Sequence, residues 1–227
     1  QWAESLNGLY EDLHRACPDM VIELHDHVES GEYRTPAWYL YDRPFSYDEK
    51  WAYEFMWKTY EDLMERKLFA LYHLRLAEPI PLYLHINASS DNENALAFWY
   101  VASCVTHIGV GAIMKAGDAQ RNAYARAFEQ YNARFDAFAL GEFYGIDELT
   151  HVHVSLDRKS AVLLAFNLDD QPVERQVVVD PISWGLCRDR AEEVRRACGG
   201  ADRLSVSIGA RDVTLIDLPS SAPGCMS

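Results

Sequence analysis

Carboxylates recur where a strand would give way to a loop or a helix would begin: Glu23 and Asp26, Asp48 and Glu49, Asp91 and Glu93. If the strands before them run parallel, their C-terminal ends converge on one rim, where barrel enzymes assemble their sites. Paired carboxylates on that rim suit glycoside hydrolysis: one protonates the departing oxygen and the other attacks carbon or activates water. Asp48, Glu49 and Asp91 suit helix starts equally well, since acidic side chains there satisfy unpaired N–H groups. Glu23 differs, because it lies inside the apolar run MVIEL. A charge buried there needs a ligand contact or a hydrogen-bonded partner.

His25-Asp26-His27 offers a second chemistry. Alternate strand residues point the same way, so both imidazoles could reach one metal. His73 and His85, on later expected strands, are the candidate further ligands, and a metal-dependent hydrolase using His25 and His27 is the alternative reading. No HExxH supports it. No P-loop, GxGxxG or GxSxG is present, so no cofactor is expected. Gly109-Val110-Gly111 reads as the end of a helix. Asn87-Ala88-Ser89 matches a glycosylation sequon of a kind frequent by chance.

The chain of 227 residues carries a formal net charge of −14. That excludes nucleic acid, which needs a basic footprint, and disfavours an anionic membrane surface. No apolar run is long enough to span a bilayer and no signal peptide is evident. We expect a soluble chain, with cytoplasm slightly favoured over secretion. Cys17, Cys104, Cys187, Cys198 and Cys225 are odd in number and contain no CxxC, so free buried thiols are expected; Cys187 and Cys198 could pair in an oxidising compartment. Aromatic residues are plentiful, and five of the six tryptophans lie before residue 100, which suits a cleft that stacks sugar rings or simply a core.

Periodicity places a helix over 2–16, stopped by Pro18, a strand at 20–24, and a long loop with the aromatic run 38–41. A second helix runs from about Ser46 to Lys67, a strand covers 69–74, and another strand covers 82–86. Helices follow at 93–106 and 118–139. From Thr150 the pattern alternates with period two in several short segments separated by turn residues, interrupted by a helix at 189–197. The expected fold is therefore α/β: the C-terminal part of a TIM (β/α) barrel over residues 1–140, a small antiparallel β-sandwich over 141–219, and a tail over 220–227. A closed eight-stranded barrel takes about 250 residues, so some strands must come from elsewhere.

The order of these segments resembles the melibiase-type α-galactosidases, which are retaining α-glycoside hydrolases. PDMVIELHDHVESGEYR resembles the segment after their nucleophile strand, where Pro-Asp leads into a strand ending in Glu and a Gly-containing loop with an Arg. Ser46-Tyr47-Asp48 stands at their Ser-Asp motif, with Tyr47 inserted. PLYLHINASSDNENALAFWYVASCVTHIGVG resembles their final barrel strand and helix. His25, Asp26 and Gly31 stand where the family carries Cys and a double Gly.

The resemblance implies that Asp48 is the general acid/base, with Glu49 and Asp42 in reserve. It implies that Glu23, His25, Asp26 and Arg34 line a sugar site, with Glu49 and His85 nearby and Trp38 and Trp51 as stacking walls. The implied substrate is a carbohydrate. The family's nucleophilic Asp lies on the strand before the helix at 2–16, so the chain, starting at Gln1, is expected to be inactive without the N-terminal half of its barrel. A homo-oligomer and a non-catalytic carbohydrate-binding module stay open as alternatives.

Overall fold

A computed structural model describes residues 8–9, 11–13, 15–18, 58–77, 83–105, 107–186, 188–197 and 203–218. The chain divides into two compact units, Gln1–Phe55 and Met56–Ser227. In the first, residues 8–9, 11–13 and 15–16 are helical. The Cys17 N–H donates to the Leu13 carbonyl at 2.8 Å, as expected of a helix stopped ahead of a proline.

The second unit begins with helix α1, Thr59–Met64. The expected helix ran on to Lys67, but Arg66 adopts φ 61°. The Lys67 N–H returns to the Asp62 carbonyl and the Arg66 N–H to the Leu63 carbonyl, both at 2.9 Å. This pair of bonds is a Schellman stop, which needs a left-handed residue at that position.

Helix α2, Phe69–Ala77, replaces the strand expected over 69–74. Leu68, Leu71 and Tyr72 are all buried while His73 is exposed. That i, i+3, i+4 spacing is helical, and Ala70, Leu74, Arg75 and Leu76 favour helix. His73 thus sits on a helix surface, 3.5 Å from Glu148, and not on a strand.

Strand β1 (Tyr83–Asn87), helix α3 (Leu96–Cys104) and strand β2 (His107–Gly111) form a βαβ unit, with β1 and β2 parallel and Tyr83 opposite His107. Gly109 and Gly111 therefore lie within a strand and do not end a helix; α3 already stops at Val105, whose backbone is extended. All of α3 is buried, as a helix apolar on every side must be. Helices α4 (Asp118–Asn132) and α5 (Phe135–Phe138) divide the single helix expected over 118–139. Among the described residues, no helix is long and apolar enough to cross a membrane.

Strands β3 (Glu142–Asp147), β4 (Thr150–Val154), β5 (Ala161–Asn167) and β8 (Asp212–Leu218) pair antiparallel in that order. A two-stranded antiparallel sheet, β6 (Val173–Val178) with β7 (Arg203–Ile208), faces them. Their shared core holds Val152, Val154, Leu163, Val177, Val206 and Ile208. Helix α6 (Arg188–Ala197) closes it with Ala191 and Val194. The alternating pattern thus does build a β-sandwich.

The two central strands depart from the usual sandwich. A sandwich strand commonly wets its outer face, but every residue of β4 and β5 is buried. Val152, Val154 and Leu163 face the small sheet, while His151, His153 and Phe166 meet rings from the helices.

Candidate functional site

Of the residues nominated from sequence, Glu23, His25, Asp26, His27, Arg34, Trp38, Asp48, Glu49 and Trp51 lie outside the described residues, as does the expected strand at 20–24. The backbone of His85 lies in β1, opposite Gly109. Cys17 is exposed and Cys104 buried, both as free thiols.

The C-terminal end of β1 is built by short polar side chains. Asn87 accepts hydrogen bonds from the Ser89 N–H at 3.1 Å and the Ser89 hydroxyl at 2.8 Å, and the Ser90 hydroxyl donates to the Asn87 carbonyl. Asn87 is itself buried, so its amide serves the turn. Asp91 is wholly enclosed by donors. The N–H groups of Asn92, Ala97 and Phe98 and the Tyr124 hydroxyl all reach its carboxylate, between 2.8 and 3.0 Å. Burial pushes its pKa up, against the pull of these donors. A carboxylate so occupied caps α3 and holds α4; it has no free edge for a substrate. Asn92 and Asn94 then donate to the Arg211 carbonyl at 2.7 and 3.1 Å, tying this rim to the turn between β7 and β8.

A second polar constellation was not foreseen from sequence. Ser103, inside α3, places its hydroxyl 2.7 Å from His151 Nδ1 and 2.9 Å from His153 Nε2. Both histidines and Ser103 are buried. The His151 ring stacks on Tyr72 at 5.2 Å and meets Phe143, Tyr100 and Phe166; the His153 ring lies 4.7 Å from Phe138. Among the described residues, His151 Nε2 and His153 Nδ1 have no hydrogen-bond partner. Burial pushes the His151 pKa down to about 3, and the nearby Glu148 backbone opposes the shift without closing a bond on Nε2. Burial, then the neighbouring His151 and Arg75, hold His153 well below the ordinary imidazole range. A hydroxyl between two imidazoles has the parts of a nucleophile and base, but rings seal it from any substrate. The available signal was the pair of histidines in THVHV together with a lone hydroxyl in the apolar run LAFWYVASC.

An open groove of about 840 Å³ runs between α5 and the edge of the larger sheet, past Phe135, Leu140, Leu156, Asp157 and Asp217. Arg134 spans it with two bonds of 2.6 Å to Asp217. Among the described residues, no group of three or more histidine, cysteine or acidic side chains is placed to hold a metal.

The chain matches no family model and no curated protein. Among solved structures, it is similar to alpha-galactosidase I from Mortierella vinacea, with 11% identity and a TM-score of 0.38, covering 59% of this chain and 37% of that one. It is also similar to a candidate alpha-N-acetylgalactosaminidase from Bacillus halodurans, with 12% identity and a TM-score of 0.32, covering 58% of this chain and 32% of that one. The chain thus spans about a third of the length of these structures.

Proposed function

We propose that the chain is the later part of a retaining glycoside hydrolase acting on α-linked sugars, of the α-galactosidase type. Asp48 is its general acid/base, a role that takes a carboxyl able to donate its proton to the departing oxygen. Glu23, His25, Asp26, Arg34, Glu49 and His85 contact the sugar, and Trp38 and Trp51 stack on it. The nucleophilic carboxylate is supplied by a barrel strand that this chain does not contain. The observation that supports this reading is the parallel β1–α3–β2 unit with a sandwich directly behind it. It lies over the segment that resembles the end of such a barrel, and the β1 end is built from small polar residues.

The test joins this chain to an N-terminal half that supplies a strand ending in Asp, and assays methyl α-galactoside, whose leaving group needs an acid. The joined protein should turn over, and Asp48→Asn should lower kcat/KM by about 100-fold or more, the usual share of a general acid. The chain alone should show no turnover. Activity of the chain alone, or an active Asp48→Asn variant, would overturn the proposal. Sugar binding without turnover in the joined protein would replace it with a non-catalytic module.

A further inference from the structure

We propose that the Ser103-bridged pair of His151 and His153 is an acid-sensitive latch that holds helices α2, α3 and α5 against the four-stranded sheet. The latch works only while both rings are neutral. Ser103 has one hydroxyl proton, so it donates to one imidazole and accepts from the other. Each ring then uses one nitrogen on the serine and leaves one, His151 Nε2 or His153 Nδ1, without a partner among the described residues. Adding a proton to either ring places a full charge in an apolar layer. It also makes both nitrogens of that ring donors. On the ring that donates to the serine, the second nitrogen becomes a buried N–H; on the ring that accepts from it, the new proton falls on the accepting nitrogen and breaks that bond.

Among the described residues the surroundings offer the charge little: the Glu148 backbone favours a charged His151 but burial outweighs it. From α2, Tyr72 stacks on His151 and Arg75 adds a positive charge near His153, while the exposed His73 is turned to Glu148. From α3 come Tyr100, whose hydroxyl donates to the Glu148 carbonyl, and Cys104, kept neutral by burial. Tyr131 of α4 is likewise pushed up by burial. Helix α5 contributes Phe138, with Asp136 exposed. Strand β3 contributes Phe143; its Glu142 and Tyr144 bond to Arg158, and Asp147 pairs with Arg175. Strand β5 presents Val162, Leu164 and Phe166, none of which titrates. No carboxylate closes a hydrogen bond on either ring among the described residues.

The direction of the effect follows from proton linkage. In the unfolded chain both imidazoles take protons near pH 6.5; in the folded chain they resist far lower. The unfolded state therefore binds more protons as pH falls below about 6.5, and stability drops. Two such groups raise the unfolding equilibrium constant by up to about 100-fold per pH unit.

The test follows the 227-residue chain through acid by near-ultraviolet circular dichroism. Aromatic packing should be lost with a steepness that falls by about tenfold per pH unit for each of His151→Phe and His153→Phe, and the midpoint should move to lower pH. Exchange of the imidazole C2 hydrogens, read residue by residue in the unmodified chain, gives the same answer if a variant does not fold. There both rings should stay unprotonated well below pH 6. Rings that titrate near 6.5 in the folded chain, or variants with unchanged steepness and midpoint, would end the idea.

Discussion

The Asp91 carboxylate accepts four hydrogen bonds, three of them from backbone at or before the first turn of α3. Asp91→Ala removes these acceptors and strands the Tyr124 hydroxyl in a buried place. We expect a loss of about 1–3 kcal/mol in urea unfolding. Asp91→Asn keeps one acceptor and should lose less. A neutral Ala variant would contradict the capping role. The role was readable in sequence, because Asp91-Asn92-Glu93 ahead of an apolar run is a helix start. The places of His151 and His153 were not readable. Alternating polar and apolar residues in THVHV read as a strand with one wet face, and only the arrival of Tyr72, Ser103 and Phe138 turns that face inward.

The elements meet closely at Gly141, between α5 and β3. A Cβ there would press on the backbone carbonyls of Val154 and Ala137, neither of which can rotate aside. Gly141→Ala should cost about 1–3 kcal/mol, read as a lower melting temperature. Gly8 has nothing within 4 Å of its would-be Cβ and lies in helix, so Gly8→Ala should be neutral or stabilising by about 0.5–1 kcal/mol. Equal effects at both positions would contradict a close approach at Gly141. The same scale explains the misread strand at 69–74. A short apolar run carries little period of its own, and Leu68, Leu71 and Tyr72 show helical spacing once the turn ending α1 is included.

Within Met56–Ser227 the larger sheet is the middle layer, with the small sheet on one face and helices on the other. Phe166 and His151 pack on Tyr100, Phe138 packs on His153, and the Arg211 carbonyl takes bonds from Asn92 and Asn94. Layers that share a buried face unfold together. The helical far-ultraviolet signal and the aromatic near-ultraviolet signal should therefore be lost in one coincident urea transition; separated midpoints would show that the layers stand alone. The sequence by itself determined the local pieces: the helix at 96–104, the strand at 83–87, five of the six sandwich strands, all but β3 at Glu142–Asp147, and the cap at Asp91. Each follows from period, propensity or capping among near neighbours. Only the tertiary structure decided that β2 is a strand parallel to β1 and that β4 and β5 are buried on both faces. It alone set two histidines around one serine from 48 and 50 residues away. Which face is covered depends on what the rest of the chain brings against it, and no local pattern records that.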